Sequence, residues 1–330
     1  MKSLEAYQSS INEALVSRMQ SSEFAEPSGL YEPCKYILQN GGKRVRASLV
    51  LLASKMFSGE YKQAMPVALA FETFHNFTLI HDDIMDKADL RRGKPTVHTK
   101  WDENTAILSG DAVMIIAYRF FEESGIFVPQ LFKLLNKTAL EVCEGQQYDV
   151  DLENAGLSDT IVSESMYLKM IVLKTSVLLA ACLKAGAIVG GASVDDAEKM
   201  YEIGRLIGIA FQLQDDVLDT YGNEQTFGKK IGGDIRVNKK TFLLIQALQT
   251  LKGAERQKLI DLLSAKTNNE TEKFNAVVAL YNSADVKEKT IARISHYFQQ
   301  AQSILDSIQL ADTQKVELNT FMKELLVREY

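Results

Sequence analysis

Six aspartates carry the first chemical signal in the chain. Asp82, Asp83 and Asp86 fall within "LIHDDIMD", and the same DDxxD spacing returns in "LQDDVLD" as Asp215, Asp216 and Asp219. On an α-helix the three carboxylates of each motif lie at roughly 0°, 100° and 40° around the axis, so they share one arc. Like charges held that closely raise one another's pKa or repel unless a cation sits among them. All-oxygen donors select a hard divalent cation, Mg²⁺ or Mn²⁺, and a Mg²⁺ ion that keeps its waters commonly bridges to phosphate. One acidic turn alone is equally well explained as a solvated helix end. Two copies, each following an apolar helix, point to metal ions gripping a polyanion. Neither motif has the alternating donors, glycine and distal glutamate of a calcium EF-hand. A His-Asp metal-hydrolase site is short of ligands, since only His75, His81, His98 and His296 exist in the chain.

Cations complement this acidic half. "NGGKRVRASLV" places Gly42 before Lys43, Arg44 and Arg46 at an expected helix start, a setting suited to a phosphate group. Arg91 and Arg92 directly follow the first motif. His75 lies seven residues before Asp82, at about 20° on the same arc and about 10 Å down the helix. Its bland alternative is a satisfied core histidine. Lys174 sits among apolar residues in "IVLKTSVLL", where a lysine needs a partner or a pKa change, and Thr175 beside it adds a hydroxyl. "TFGKKIGGDIRVNKKT" then brings Lys229, Lys230, Lys239 and Lys240 near Asp234. Gly204 and Gly208 share Asp215's direction on a wheel, where glycine costs about 1 kcal/mol relative to alanine. That cost is explained either by close helix packing or by a channel for an apolar chain.

The elements that must hold these groups read as helices. Apolar residues recur at three and four in "YEIGRLIGIAFQLQDDVLDTYG" and "TFLLIQALQTLKGAERQKLIDLLSAK", and all five prolines fall in the first 129 residues. The pattern predicts an all-α fold with short breaks, none resembling an interdomain linker, hence a single domain over residues 1–330. With 330 residues and 46% hydrophobic content the chain can bury a sizeable core. A net charge of −6 argues against a general nucleic-acid binder. Cys34, Cys143 and Cys182 are too far apart for a CxxC pair and are expected as core thiols in a reducing cytoplasm. The N-terminal stretch lacks the apolar core of a secretory signal, and Lys174 and Lys184 interrupt the most apolar window, so no transmembrane segment is expected.

Together "GGKRVR", "HDDIMD" with "LRRG", "GQQYD", the Lys174-Thr175 pair, "FQLQDDVLD" and "GKKIGGDI..NKKT" resemble, in order and over nearly the whole chain, the trans-isoprenyl diphosphate synthase (polyprenyl synthetase) family. The resemblance implies an antiparallel helical bundle around a deep central cavity, the isoprenoid synthase type I fold, and a cytoplasmic homodimer. It implies three Mg²⁺ ions, replaceable by Mn²⁺, on Asp82, Asp83, Asp86, Asp215, Asp216 and Asp219. Arg91, Lys174, Lys229 or Lys230, and Lys239 would hold the allylic diphosphate. Gly42, Lys43, Arg46, His75 and Arg92 would hold isopentenyl diphosphate, with Thr175 and Gln212 facing the allylic carbons. The implied product is short, C20 geranylgeranyl diphosphate, with C15 farnesyl diphosphate or a longer chain as alternatives. The family places the cavity floor at Phe77, whereas an ideal wheel favours Thr78 and Phe74. A class I terpene cyclase would lack the need for the Lys43/Arg46 anion site, and a non-catalytic subunit of a heteromeric synthase would usually lack one acidic motif.

Overall fold

The computed structural model describes residues 2–223, 231–264 and 269–326. Its helices are α1 (Glu5–Met19), α2 (Ser28–Gln39), α3 (Val45–Ser58), α4 (Met65–Met85), α5 (Val97–Lys100), α6 (Glu103–Glu122), α7 (Val128–Asn154), α8 (Glu164–Ile171), α9 (Val177–Val189) and α10 (Val194–Tyr221). Further helices follow, among them Phe242–Thr250, Glu270–Ser283, Val286–Ser307 and Asp312–Leu326. The all-α expectation holds. Among the described residues the only paired strands are Leu90–Arg91 and Lys94–Pro95, which form one small hairpin.

The chain divides into two compact units. The first comprises Met1–Asn136, Ala181–Tyr201 and Ile308–Phe321, and the second Lys137–Ala180, Glu202–Ser307 and Met322–Tyr330. Each unit draws on separate stretches of the chain, so no single cut in the sequence divides them, in keeping with the absence of a linker composition.

In the first unit α4 packs against α6 and α3. Its long apolar run buries Val67 to Phe71, Phe74 and Ile80, with Pro66 accommodated in the first turn where no backbone donor is needed. Asp102 caps α6 by accepting the Thr105 N–H at 2.8 Å. In the second unit Phe242–Thr250 packs against Val286–Ser307, Glu270–Ser283 and α8, and starts at Thr241, whose hydroxyl accepts the Leu244 N–H.

Two readings change here. Cβ atoms on Gly204 and Gly208 would stand 2.5 Å and 2.6 Å from the Cα atoms of Ala180 and Ser176. The glycines are therefore explained by close helix packing, and the channel reading falls. Cys34 and Cys182 are buried thiols, but Cys143 is exposed on α7, so it is not a core residue. The stretch Glu164–Val189 is apolar enough by length and composition to span a membrane, yet 67% of its apolar window is buried inside the protein.

Candidate active site

The residues expected to bind an anion in the first unit come from loops and helix ends. Arg44, in the left-handed region at φ 47°, precedes α3 and turns its guanidinium inward to the buried Glu72 at 2.9 Å. Two residues on, Arg46 donates through Nη1 to His75 Nε2 at 3.1 Å, which leaves the ring neutral with its proton on Nδ1. Burial, then Arg46, Arg92, Arg91 and Arg44 in that order, hold the His75 pKa well below its ordinary value. The Arg46 Nε is buried without a hydrogen-bond partner. Such an orphaned charged donor costs free energy unless an anion completes it.

The hairpin delivers the last cation. Arg92 and Gly93 form its two-residue turn, both with positive φ, as a tight I′ hairpin requires. Arg92 reaches the Gly41 carbonyl, and a Cβ on Gly42 would fall 2.7 Å from its guanidinium carbon. The Gly42 backbone at φ 124° is what requires glycine there, because the end of the Arg92 side chain could move aside. Of the expected isopentenyl set, Gly42, Arg46, His75 and Arg92 come together, while Lys43 is exposed next to them.

The same hairpin serves the first acidic motif. Arg91 Nε donates to both Asp83 oxygens at 2.8 Å, and its Nη2 lies 2.7 Å from Oδ1. Asp83 is 1% exposed, Asp82 is half-buried and Asp86 is exposed at the helix end. The three carboxylates therefore do not present one equivalent face: Asp83 is turned inward to hold a cation of the protein.

In the second unit the repeat is deployed differently. Asp216 is buried, and its Oδ2 accepts the Tyr167 hydroxyl at 2.5 Å and the Phe242 backbone N–H at 3.1 Å. Its Oδ1 accepts Gln212 Nε2 at 3.3 Å. Burial and the neighbouring Asp234 charge push its carboxyl up to about 7. Asp219 accepts the Asp234 N–H at 3.0 Å, and Asp215 is half-buried. Thr175 donates to Gln212 Oε1 at 3.4 Å, so the two residues expected at the allylic carbons do meet.

Lys174 finds its partner in Asp149, 2.6 Å away, the last residue of "GQQYD". Both project from a junction built by glycine. Residues Val172–Ser176 form a π-helical turn, and a Cβ on Gly145 of α7 would overlap the Lys174 backbone nitrogen. Wide turns of this kind recur at functional sites. Sequence reasoning noted "GQQYD" without a role for Asp149, and it missed Tyr167 entirely. The only signal for Asp149 was the need of a half-buried lysine for a carboxylate. Lys239 is exposed and pulls the Asp216 pKa down, whereas Lys229 and Lys230 lie outside the described residues.

Comparison with known proteins decides the assignment. The polyprenyl synthetase family model matches residues 27–281. The chain belongs to this family. It is 39% identical to a geranylgeranyl diphosphate synthase of Methanosarcina mazei over 68% of each chain. It is 34% identical to a geranylfarnesyl diphosphate synthase of Aeropyrum pernix, covering 91% of this chain and 94% of that one. A crystal structure of a geranylgeranyl pyrophosphate synthase superposes with a TM-score of 0.92 and 43% identity, over 99% of both chains.

In this prenyltransferase the carboxylates suit Mg²⁺ by donor chemistry, being oxygen ligands throughout. Among the described residues no three His, Cys, Asp or Glu side chains gather into a group that would hold a metal by themselves. Of the six aspartates expected to bind metal, Asp83 is paired with Arg91, and Asp216 accepts hydrogen bonds from Tyr167, Phe242 and Gln212. Of the expected floor residues, Phe74 is buried and its ring lies 5.6 Å from that of Phe77. Phe77 in turn packs edge-on to His81 at 4.8 Å, and the Thr78 hydroxyl donates to the His75 carbonyl.

Proposed function

We propose that this synthetase condenses isopentenyl diphosphate with dimethylallyl, geranyl and farnesyl diphosphates, head to tail, to give all-trans geranylgeranyl diphosphate. The observation that carries the reading is the pair of guanidiniums, Arg46 on the neutral His75 ring and Arg92 against Gly42, with the Arg46 Nε buried and lacking a hydrogen-bond partner. These groups, with Lys43, bind isopentenyl diphosphate. Asp82, Asp86, Asp215 and Asp219 hold Mg²⁺, three ions as the family resemblance implies, and Asp83 and Asp216 orient their neighbours. Bound Mg²⁺ neutralises charge on the departing diphosphate of the allylic substrate. Lys174, released from Asp149, and Arg91 hold the same diphosphate, with Lys239 and one of Lys229 or Lys230 beside it.

The allylic C–O bond breaks with its electron pair leaving on the diphosphate, favoured by these cations. Thr175 and Gln212 turn oxygen atoms toward the resulting carbocation. The double bond of isopentenyl diphosphate attacks it, and loss of a proton to the released diphosphate leaves a chain longer by five carbons. Phe77 and Phe74 form the floor that stops growth. An exposed apolar arc on α6, Ile107, Leu108 and Ile115, supports a homodimer.

Incubation with labelled isopentenyl diphosphate, each allylic diphosphate and Mg²⁺, followed by dephosphorylation and chromatography, tests the reading. A C20 alcohol is expected. A C15 or C25 alcohol corrects the product length, a cyclic hydrocarbon replaces the synthase with a cyclase, and no elongation rejects catalysis.

A further inference from the structure

Tyr167 is the buried polar residue beside the second motif to which the proposed chemistry gives no task. It is 2% exposed, and its hydroxyl donates to Asp216 Oδ2, the oxygen that also accepts the Phe242 N–H. The other oxygen, Oδ1, accepts Gln212 Nε2 at 3.3 Å. An amide whose NH₂ end is held by a carboxylate must turn its carbonyl the opposite way. Gln212 Oε1 accordingly lies 3.4 Å from Thr175 Oγ1, which donates to it. The hydrogen bonds converge on Asp216 from two sides: Tyr167 donates to Oδ2, while Thr175 donates to Gln212, which donates to Oδ1, all within the second unit.

The direction matters for a cation. The oxygen end of an amide dipole attracts positive charge and the NH₂ end repels it, so a flipped Gln212 would oppose ionisation. We propose that Tyr167 and Asp216 are positioning residues, which fix the Gln212 amide so that its oxygen, not its nitrogen, faces Thr175 and the allylic carbons. The inference rests on the prenyl transfer proposed above. Its plain alternative is that Tyr167 only fills the core, its ring 6.0 Å from that of Phe242.

Tyr167→Phe keeps the ring and removes the hydroxyl. Loss of one hydrogen bond in the series is expected to lower kcat about tenfold, with the KM of both substrates and the Mg²⁺ concentration for half-maximal rate unchanged. Asp216→Asn should do the same. In a Gln212→Ala background the Tyr167→Phe step should cost nothing, because the group it acts through is gone. Wild-type kcat in Tyr167→Phe, an equal loss in both backgrounds, or a raised Mg²⁺ requirement would each overturn the proposal. The side-chain amide resonances of Gln212, assigned by their loss in Gln212→Ala, provide a second readout that needs no turnover. They should shift in Tyr167→Phe; unmoved resonances reject the positioning role. Failure of the wild-type protein to elongate any allylic diphosphate rejects the proposed function instead, and the two failures are thereby told apart.

Discussion

The two DDxxD turns are alike in sequence and unlike in use. In each, the middle aspartate is buried, but Asp83 faces a guanidinium through three short contacts, while Asp216 faces a hydroxyl, a backbone N–H and an amide. One buried carboxylate is neutralised by a cation of the protein. The other is satisfied by neutral dipoles and has its pKa raised. The first motif is therefore tied to Arg91, and the second is bound into a hydrogen-bonded network that ends at Gln212 and Thr175. A repeated motif specifies which residues are present and leaves to its surroundings which of them face outward.

The largest effects should come from the outward-facing members. Asp82→Asn and Asp215→Asn are expected to lower kcat about 10²- to 10³-fold and to raise the Mg²⁺ requirement. Asp83→Asn should leave that requirement unchanged in a Mg²⁺ titration; a shift equal to that of Asp82→Asn would restore the equivalence of the three. Next, Arg91→Ala strands the buried Asp83 and should cost about 3 kcal/mol in urea unfolding. Lys239→Ala, at an exposed position near Asp216, should cost less than about 0.5 kcal/mol. Equal costs would erase the contrast.

The glycines give a third, smaller contrast. Gly145→Ala meets the backbone of the π-turn, which has nowhere to go, and should destabilise by about 2 kcal/mol. Gly110→Ala in the first unit meets only the end of the His81 ring, which can swing aside, and should cost under about 1 kcal/mol. Thermal midpoints of the two variants compare them directly.

The last contrast concerns acid. Because the folded His75 has a depressed pKa, the unfolded chain takes up a proton near pH 6.5 that the folded protein refuses. Stability carried by this residue is present above that pH and is lost as pH falls below it, by at most about 1.4 kcal/mol per unit. His75→Gln should flatten that part of the profile between about pH 7 and 5.5, measured by urea midpoints. An unchanged slope would mean that the ring is charged in the folded protein.

Much of this was legible in the sequence. The three-and-four periodicity predicted helices, and of the residues expected at one anion site the structure puts Arg46 on His75 and Arg92 against Gly42. What periodicity could not provide was the inward turn of Asp83 and Asp216, since an arc of about 100° spans both the solvent side and the packed side of a helix. The π-turn was equally hidden. It adds a residue to one helical turn between Val172 and Ser176, so a wheel drawn through Glu164–Val189 loses phase there and cannot pair Lys174 with Asp149. Cys143 was misread because its apolar neighbour Val142 on α7 is buried while it points outward. Gly204 and Gly208 left two explanations open, and only the Cα atoms opposite them, which a methyl group at either position would meet at 2.5 Å and 2.6 Å, separate packing from a channel.

The hairpin carries a consequence of its own. Arg91 and Arg92 are consecutive in an extended ladder and its turn, and their side chains leave in different directions, one to Asp83 and the other to the Gly41 carbonyl. A single inserted or deleted residue would exchange the sides and detach both arginines at once. The length of that turn is a ruler between two guanidinium groups, and substitutions within it are tolerable only where the count is kept.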